Sequence, residues 1–181
     1  MFRSPYMSGY RVTSPYGLRR HPISGNFTKH NGVDMVGDLI SIVAIGRGIV
    51  KSSYYSSSYG HTIIIQHKIN GVIWESLYAH LSRRFVDKGD KVSSNEIIGY
   101  EGSTGNSTGR HLHLELHRGS WNINKSNSVD PLKYIDNKNL KIDGIIGKQT
   151  IKSLQRFLKV EVDGIQGVKT NKALQRFLNK N

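Results

Sequence analysis

The stretch His111-Leu112-His113-Leu114-Glu115-Leu116-His117 alternates polar and apolar residues without a break. Because side chains of a β-strand point alternately to opposite faces, the three leucines should enter a core and the other four residues should share the opposite face. A solvated face is the simplest explanation for four polar residues, but histidine is an unusual choice for one. Two histidines in register on one strand are well placed to meet a metal ion. The stretch therefore predicts a β-strand that carries chemistry on one face.

More β-strands are predicted on the N-terminal side of this stretch. Residues 61–67 and 72–79 are rich in β-branched residues, and Asn70-Gly71 between them is a strong signal for a type I′ hairpin. Residues 41–50 predict another strand, and a Gly/Ser/Thr loop at 102–109 leads into the histidine-rich strand. The chain has 19 Gly and only 4 Pro in 181 residues, which suits a turn-rich fold. We therefore expect a mainly β domain built from antiparallel sheets.

The composition narrows the kinds of metal site and of partner. There is no cysteine, which excludes disulfides and thiolate metal sites, so any metal must be held by His, Asp or Glu. The formal net charge is +13, and a basic surface suits a polyanionic partner. The basic residues are spread along the chain and do not form a recognition helix or an arm. Nucleic acid is therefore the weaker candidate, and anionic cell-wall polymers such as teichoic acids are the stronger one.

The C-terminal part of the chain is an internal repeat with a period of 20 residues. The matching positions are 143–147 with 163–167, Thr150 with Thr170, and 154–158 with 174–178. Each unit predicts a Gly turn, a Thr N-cap and a short helix with Leu, Phe and Leu in its core. We place the boundary after residue 135, with a mainly β domain at 1–135 and a small all-α repeat domain at 136–181. Because so small a core is marginal, self-association through the repeats is the alternative to the monomer that we expect.

Residues far from the histidine-rich strand can complete a metal site. His30 and Asp34 are four residues apart with a glycine between them, and one of His111 and His113 would add a third ligand from a distant strand. A catalytic zinc uses three protein ligands and keeps one position open. A set of two His and one carboxylate leaves the site positively charged, so that it polarises a carbonyl. The sequence thus offers the ligands of a catalytic zinc.

Hydrolysis also requires proton transfer, for which the remaining histidine of the pair is one candidate. His80, directly after the strand predicted at 72–79, is another. Tyr78 is expected to share a strand face with His80 and to donate a hydrogen bond there. Each motif alone is weak, because His-x-x-x-Asp is frequent by chance. Their joint presence with the Gly/Ser/Thr loop is far more specific.

Three motifs resemble those of the lysostaphin-like zinc endopeptidases. Residues 17–23, followed by His30-Asn31-Gly32-Val33-Asp34, resemble the first motif of that family, and Tyr78-Ala79-His80-Leu81 resembles the middle one. Residues 102–115 are similar to the third motif over its whole length. The resemblance covers about residues 10–134, in the right order and spacing. One departure is Ser94-Asn95-Glu96 in a predicted loop, where many members have Ala-Gly-Gln.

The resemblance implies antiparallel sheets with a substrate groove between loops. It implies one zinc per chain, held by His30, Asp34 and His113, and the choice of His113 over His111 as ligand rests on the resemblance alone. It also implies His80 and His111 as the catalytic histidines. The tail resembles a peptidoglycan-binding repeat of the Asp-Gly-x-x-Gly-x-x-Thr type, common at the ends of cell-wall lytic enzymes. It is shorter than the three-helix version of that module.

Ordinary roles are predicted for the other candidate residues. The remaining histidines are His21, His61, His67 and His117, and we expect structural roles or positions outside the site for them. Glu115 is expected to be a hydrogen-bond partner of a ligand or a member of a structural ion pair. Tyr59 and its neighbouring tyrosines are left out of the predicted site, because a surface loop explains them almost as well as a groove.

These observations predict a zinc-dependent endopeptidase that hydrolyses peptide bonds in bacterial peptidoglycan, in its stems or cross-bridges. The first residues lack the apolar core of a signal peptide, and no stretch approaches the ~18–20 apolar residues of a membrane span. We therefore expect a bacteriophage endolysin, made in the host cytoplasm and released to the wall through a holin. The alternatives are a secreted bacterial autolysin, a non-catalytic regulator of the same fold that activates amidases, and a basic nucleic-acid-binding protein.

Overall fold

Residues 2–20, 26–136 and 146–179 are described by the structure, which is a computed structural model. The chain divides into two units, residues 1–139 and 140–181. The division falls a few residues after the predicted boundary. The strands of the first unit are β1 (Phe2–Arg3), β2 (Tyr10–Ser14), β3 (Gly17–Arg20), β4 (Phe27–His30), β5 (Val33–Gly37), β6 (Ser41–Val43), β7 (Gly48–Ser56), β8 (Gly60–Ile69), β9 (Val72–Leu81), β10 (Arg83–Arg84), β11 (Lys91–Val92), β12 (Ile97–Tyr100), β13 (Leu112–His117), β14 (Ser128–Val129) and β15 (Ile135–Asp136).

The largest sheet is antiparallel and confirms the predicted mainly β fold. Its strand order is β11-β7-β8-β9-β13-β5-β2, and β14 also pairs with β13. The two ten-residue strands β8 and β9 form the predicted hairpin. Its turn residues Asn70 and Gly71 have φ angles of +49° and +79°, as a type I′ turn requires. The hairpin places β9 beside β13, so that the long strands support the histidine-rich strand.

The two faces of β13 have different surroundings. Leu112, Leu114 and Leu116 are fully buried in the main apolar cluster, as alternation predicts. On the opposite face a smaller cluster of Ile64, Leu77 and Ala79 packs beside the polar residues of β13. The predicted alternation is confirmed, and it directs the polar side chains of β13 away from the main core.

Three small sheets complete the described part of the first unit. β10, β12 and β6 form one of them, and β3 pairs with β4 in an antiparallel hairpin. The third joins the beginning of this unit to its end, because β1 and β15 are parallel with Phe2 opposite Ile135. Both of these apolar residues are buried in the main cluster. A 3-10 helix at Pro131–Lys133 precedes β15.

The described part of the second unit contains two helices, α1 (Lys148–Phe157) and α2 (Val168–Leu178). They follow the repeat, although residues 143–145 of its first copy lie outside the described residues. Among the described residues no helix is long and apolar enough to cross a bilayer. The all-α repeat domain as a whole stays a prediction.

Two local expectations for this unit are wrong. Gly167, not a threonine, is the N-cap of α2, and Thr170 lies inside the helix with a buried side chain. The predicted core phenylalanine of α1, Phe157, is 62% exposed, whereas Gln155 is buried. The side-chain amide of Gln155 donates to the Asp163 carboxylate at 2.6 Å and accepts from the Gly164 amide at 2.9 Å. The buried positions in the described part of this small unit therefore hold a hydrogen-bond network, whereas Phe157 packs at the surface against Phe177, with ring centroids 5.0 Å apart.

Candidate metal centre and groove

Three strands bring the predicted ligands together. His30 ends β4, Asp34 lies in β5 and His113 lies in β13. β5 and β13 are antiparallel, with Asp34 directly opposite His113. Gly32, in the short connection between β4 and β5, is required by space, because a Cβ atom there would lie 2.7 Å from Cε1 of His113. The glycine of the His30–Asp34 motif thus lets the backbone pass close to the imidazole of the third ligand.

Each of the three side chains presents one ligand atom to a common point. Nε2 of His30 lies 3.1 Å from Nδ1 of His113 and 3.2 Å from Oδ1 of Asp34. That carboxylate oxygen lies 2.8 Å from Nδ1 of His113. Tetrahedral ligands bound to zinc at about 2.0–2.1 Å are roughly 3.3 Å apart. All three residues are buried, and their spacing fits one zinc ion.

Hydrogen bonds select the nitrogen that each histidine offers. Nδ1 of His30 donates to the carbonyl of Pro15 at 2.9 Å, which leaves the Nε2 lone pair for a metal. In His113 the roles are exchanged, because Nε2 faces Oε1 of Glu115 at 3.3 Å and Nδ1 faces the other ligands. Such partners fix the tautomer of a metal-binding imidazole. The donor set therefore fits zinc in atom type, spacing and tautomer.

The electrostatics of these residues favour a bound cation. Burial disfavours the ionised Asp34, but hydrogen bonds from His113 and His30 hold the pKa of its carboxyl well below the usual range. Burial also disfavours a charged His113, yet hydrogen bonds to Asp34 and Glu115 raise its pKa to about 9. A metal binds the deprotonated imidazole and would replace this proton. The protein groups thus already stabilise a positive charge where the ligand atoms meet.

Two further histidines border the ligand cluster. Nε2 of His111 lies 3.9 Å from Oδ1 of Asp34. The ring of His80 lies 4.8 Å from that of His111 and 5.9 Å from that of His113, centroid to centroid. In both His80 and His111, Nδ1 donates to a backbone carbonyl, at 2.8 and 2.7 Å, so Nε2 of each ring is available to a substrate. Burial lowers the pKa of His80 to about 4, so this imidazole is neutral at neutral pH.

His80 reaches this position because β9 departs from regular strand geometry there. Tyr78, two residues earlier, is fully buried in the main core, and its hydroxyl accepts a hydrogen bond from the Ile45 amide at 2.9 Å. His80 has a φ of +61°, a left-handed conformation that is uncommon for residues with a Cβ atom. Its side chain therefore does not follow that of Tyr78 into the core. The prediction that Tyr78 donates a hydrogen bond in the site is wrong.

The ligand cluster opens into a cavity of about 550 Å³. The residues that line it include Arg11, Arg19, Lys29, Tyr59, Asn106 and Arg110. Four of these are basic. Its acidic residues are Asp34, whose carboxylate contacts the two ligand histidines, and Glu115, which is buried. The lining therefore gives the groove a positive potential.

The comparison with known families identifies this arrangement. The model of peptidase family M23 matches residues 28–131, which is more than half of the chain. The chain belongs to peptidase family M23. The matched segment includes the three candidate ligands and both neighbouring histidines. The prediction that the chain is a peptidase of the lysostaphin-like kind is confirmed at this level.

Individual proteins show the same relationship. The M23 chain is 37% identical over 116 residues to "Peptidoglycan DD-endopeptidase ShyA" of Vibrio cholerae serotype O1, covering 63% of this chain and 26% of that relative. The catalytic domain of the antimicrobial peptidase lysostaphin from Staphylococcus simulans is 32% identical with a TM-score of 0.61, covering 69% of this chain and 91% of that chain. The catalytic domain of the prophage-encoded M23 protein EnpA from Enterococcus faecalis is 32% identical with a TM-score of 0.57, covering 74% and 97%. The chain spans about a quarter to two fifths of the length of the curated relatives that it matches.

The M23 site contains residues that the sequence did not single out. Nη2 of Arg19 lies 3.6 Å from the second oxygen of Asp34. The hydroxyl of Tyr59 donates to Glu115 at 2.6 Å, and its ring lies 5.9 Å from that of His113. The resemblance to the first motif covers residues 17–23 as a whole and gives no reason to choose Arg19. The sequence around Tyr59 has no periodicity that would distinguish a residue of the groove from one of a surface loop.

The other histidines have structural surroundings where they are described. Both ring nitrogens of His67 are hydrogen-bonded, to the Arg47 carbonyl at 2.9 Å and to the Ser76 hydroxyl at 2.8 Å. His61 accepts from Nε of Arg84 at 3.3 Å. These contacts agree with the predicted ordinary roles. His21 lies outside the described residues.

Proposed function

We propose that this chain is a zinc-dependent endopeptidase that hydrolyses peptide bonds in the stems or cross-bridges of bacterial peptidoglycan. The observation that carries the proposal is the convergence of His30 Nε2, Asp34 Oδ1 and His113 Nδ1 within 3.2 Å of one another, beside two histidines with available Nε2 atoms. The names of its M23 relatives support the substrate class. The basic lining of the groove agrees with it, because peptidoglycan stem peptides carry carboxylates.

The proposed roles of the protein groups follow from their positions. When bound, zinc supplies Lewis-acid polarisation of the scissile carbonyl and makes water more acidic. His111 holds and transfers a proton at Nε2, since its Nδ1 is fixed on a backbone carbonyl. Burial keeps the pKa of His80 near 4, so at neutral pH His80 has an Nε2 lone pair that can accept a proton. The two histidines thus serve as general acid and general base, and a histidine that carries a proton at Nε2 can donate a hydrogen bond to the oxyanion.

The same two histidines argue against a non-catalytic regulator. A protein that only binds a partner through this fold has no need for two oriented imidazoles next to a complete ligand set. A nucleic-acid-binding protein would not need the ligand set at all. The enzymatic function is therefore the better account of the site.

We also propose that the C-terminal repeats, residues 136–181, bind peptidoglycan and hold the enzyme at the wall. Their likeness to wall-binding repeats and the net charge of +13 support this role. A tether raises the local substrate concentration without new contacts at the reacting bond. Anionic wall polymers are a second proposed partner, and the enzyme is proposed to act as a monomer.

A bacteriophage endolysin is the proposed biological setting. The combination of an M23 domain with C-terminal repeats supports it, and EnpA is an M23 protein encoded by a prophage. In this proposal the protein is made in the host cytoplasm and reaches the wall through a holin. A secreted bacterial autolysin is the alternative, and the genes beside the coding sequence distinguish the two.

Metal analysis of two variants tests the proposal. Protein purified without chelators should contain about one zinc per chain. His113→Ala should lose both zinc and activity, whereas His111→Ala should keep zinc while activity falls by about 10²–10⁴-fold, the range of general acid–base catalysis. Purified wild-type protein without zinc would contradict the ligand assignment, and the reverse pattern in the variants would exchange the two roles.

Mass spectrometry of the released fragments identifies the scissile bond. Fragments released from several purified Gram-positive walls should have new peptide termini, and their glycan strands should be uncut. Release of reducing sugars without new peptide termini would contradict the endopeptidase proposal.

A further inference from the structure

Glu115 occupies a position on β13 that the proposed chemistry does not use directly. It is 1% exposed and lies two residues from His113 on the same strand face. Its Oε1 accepts from the Tyr59 hydroxyl at 2.6 Å and faces Nε2 of His113 at 3.3 Å. One oxygen of this buried carboxylate, Oε1, therefore faces the candidate ligand His113.

The second oxygen of Glu115 is held by a different set of donors. Its partners are Nε2 of His117 at 2.8 Å, Nε1 of Trp121 at 3.1 Å and Nζ of Lys125 at 3.5 Å. Both oxygens are thus surrounded by donors, and a charged ammonium lies among them. Together with burial of the group, this arrangement fixes the carboxylate in one orientation.

Two donors to this second oxygen, Trp121 and Lys125, come from the loop between β13 and β14, which is itself hydrogen-bonded to the sheet. The backbone amide of Trp121 donates to the buried Glu75 of β9 at 2.7 Å. Nζ of Lys125 lies 3.9 Å from the centroid of the Trp121 ring and 4.7 Å from that of Tyr59. This cation–π arrangement holds Lys125 over the carboxylate.

An ionised carboxylate can only accept hydrogen bonds, so the His113 nitrogen that faces it must carry the proton. That nitrogen is Nε2, and the tautomer therefore leaves the lone pair on Nδ1, the atom that meets His30 and Asp34. If Glu115 could also donate, this selection would be lost. The negative charge of the glutamate also offsets the positive charge of a zinc ion held by two histidines and one aspartate.

We infer that Glu115 is a positioning residue for the zinc site, which fixes His113 as an Nδ1 ligand, and that Trp121 and Lys125 hold Glu115 in the orientation this requires. The inference rests on the proposed zinc-dependent function. The competing explanation is a buried ion pair that stabilises the sheet and has no effect on the metal.

The test compares Glu115→Gln with Glu75→Gln in the full chain. Glu75 is a matched control, because it is equally buried, accepts from Lys51 at 2.7 Å and from the same loop, and faces no ligand. Zinc affinity is measured by competition with a chromophoric chelator. Glu115→Gln should bind zinc about 10–100-fold more weakly, the usual effect of removing such a partner, while Glu75→Gln should stay within about threefold of wild type.

Nitrogen-15 spectra of histidine-labelled, zinc-loaded protein give a second readout that does not depend on activity. The wild type should show His113 protonated at Nε2 and bound through Nδ1. Glu115→Gln should shift or broaden these signals, and Glu75→Gln should not. If Glu115→Gln does not fold, Trp121→Phe replaces it, since it removes one donor to Glu115 and should weaken zinc binding by a smaller factor.

Three outcomes separate the possibilities. Wild-type zinc affinity in Glu115→Gln overturns the inference and leaves the proposed function intact. Equal weakening in both glutamate variants also overturns it, because general loss of packing would then explain the effect. Absence of zinc from the wild-type protein contradicts the proposed function itself.

Discussion

The two units of the chain bury different kinds of residue. In the first, a continuous apolar cluster that includes Ile65 and Leu114 fills one side of the large sheet, and the polar groups of the metal centre occupy the other. Among the described residues of the second, Gln155 and Thr170 are buried while Phe157 is 62% exposed. The first unit thus has a core of its own on which a polar site can be built.

Size explains the difference. The second unit spans residues 140–181, and chains near ~40 residues bury too little surface to be stable without additional interactions. In its described part the Gln155 side chain links α1 to the segment before α2, with bonds to Asp163 and Gly164. Exposed apolar side chains on such a unit favour a function in binding. The comparison supports the proposal that the first unit carries the chemistry and that the second attaches the enzyme to its substrate.

Deletion of residues 140–181 should separate these two functions. Lysis of intact walls should fall by about 10²–10⁴-fold, the gain that tethering usually provides, while cleavage of a soluble peptide should change little. Turbidity of a wall suspension and chromatography of peptide products measure the two rates. Equal losses on both substrates would make the second unit a structural support of the first.

Core substitutions should show that only the first unit depends on apolar packing. Ile65→Ala, at a fully buried position of β8, should lower the free energy of unfolding by about 2–5 kcal/mol. Phe157→Ala in α1 should change it by well under that amount, because the ring is already largely solvated. Urea denaturation followed by tryptophan fluorescence and by far-UV circular dichroism measures both. A comparable loss from Phe157→Ala would mean that this ring is covered in solution.

Within the second unit, the polar network should matter more than the apolar residues. Gln155→Ala leaves buried donors and acceptors such as the Gly164 amide unpaired, at a cost of about 1–3 kcal/mol. The matched control is Gln175→Ala, at the equivalent position of the second repeat, where the side chain is exposed. Hydrogen exchange of the helix amides should accelerate in the first variant only. Similar exchange in both variants would remove the special role of Gln155.

The smallest predicted effect concerns pH, to which only the first unit should respond through histidine. All eight histidines precede residue 118, and burial lowers the pKa of His67. Between its folded pKa and about 6.5, the unfolded chain binds a proton that the native His67 does not, so stability falls as the pH drops through this window. His67→Gln should therefore reduce the loss of unfolding free energy between pH 7.5 and 5.5 by up to about 1 kcal/mol. An unchanged pH dependence in this variant would contradict the assignment.

Much of the first unit could be predicted from local patterns. Alternation in β13 predicted the buried leucines, because it depends only on the two-residue period of a strand. Asn70-Gly71 predicted the β8–β9 hairpin, because a type I′ turn depends only on the φ angles of two residues. Motif spacing grouped His30 and Asp34 with one histidine of the 111/113 pair, and the choice of His113 came from the resemblance to the lysostaphin-like endopeptidases. Their roles as ligands, and those of His80 and His111 in catalysis, stay predictions until metal content is measured.

What sequence reasoning missed depends on departures from regular geometry and on contacts between distant segments. Alternation places His80 and Tyr78 on the same strand face, but the left-handed conformation of His80 turns its side chain to the other face. The assumption of a shared face is what wrongly placed Tyr78 in the site. Tyr59 comes within reach of Glu115 only through pairing of strands far apart in sequence. In the second unit, helical periodicity placed Phe157 in a core, which a unit of this size does not provide.

The pairing of β1 with β15 brings the beginning and the end of the first unit side by side. Because β1 and β15 are parallel, a crossover linker of about a dozen residues from Asp136 back to Phe2 would close this unit. New termini could then be opened at Asn70-Gly71, an exposed turn far from the metal ligands in the chain. Such a circular permutant should retain the candidate metal centre, because β4, β5 and β13 are left uncut. Attachment domains could then be fused at the tip of the β8–β9 hairpin, whereas the native tail follows β15.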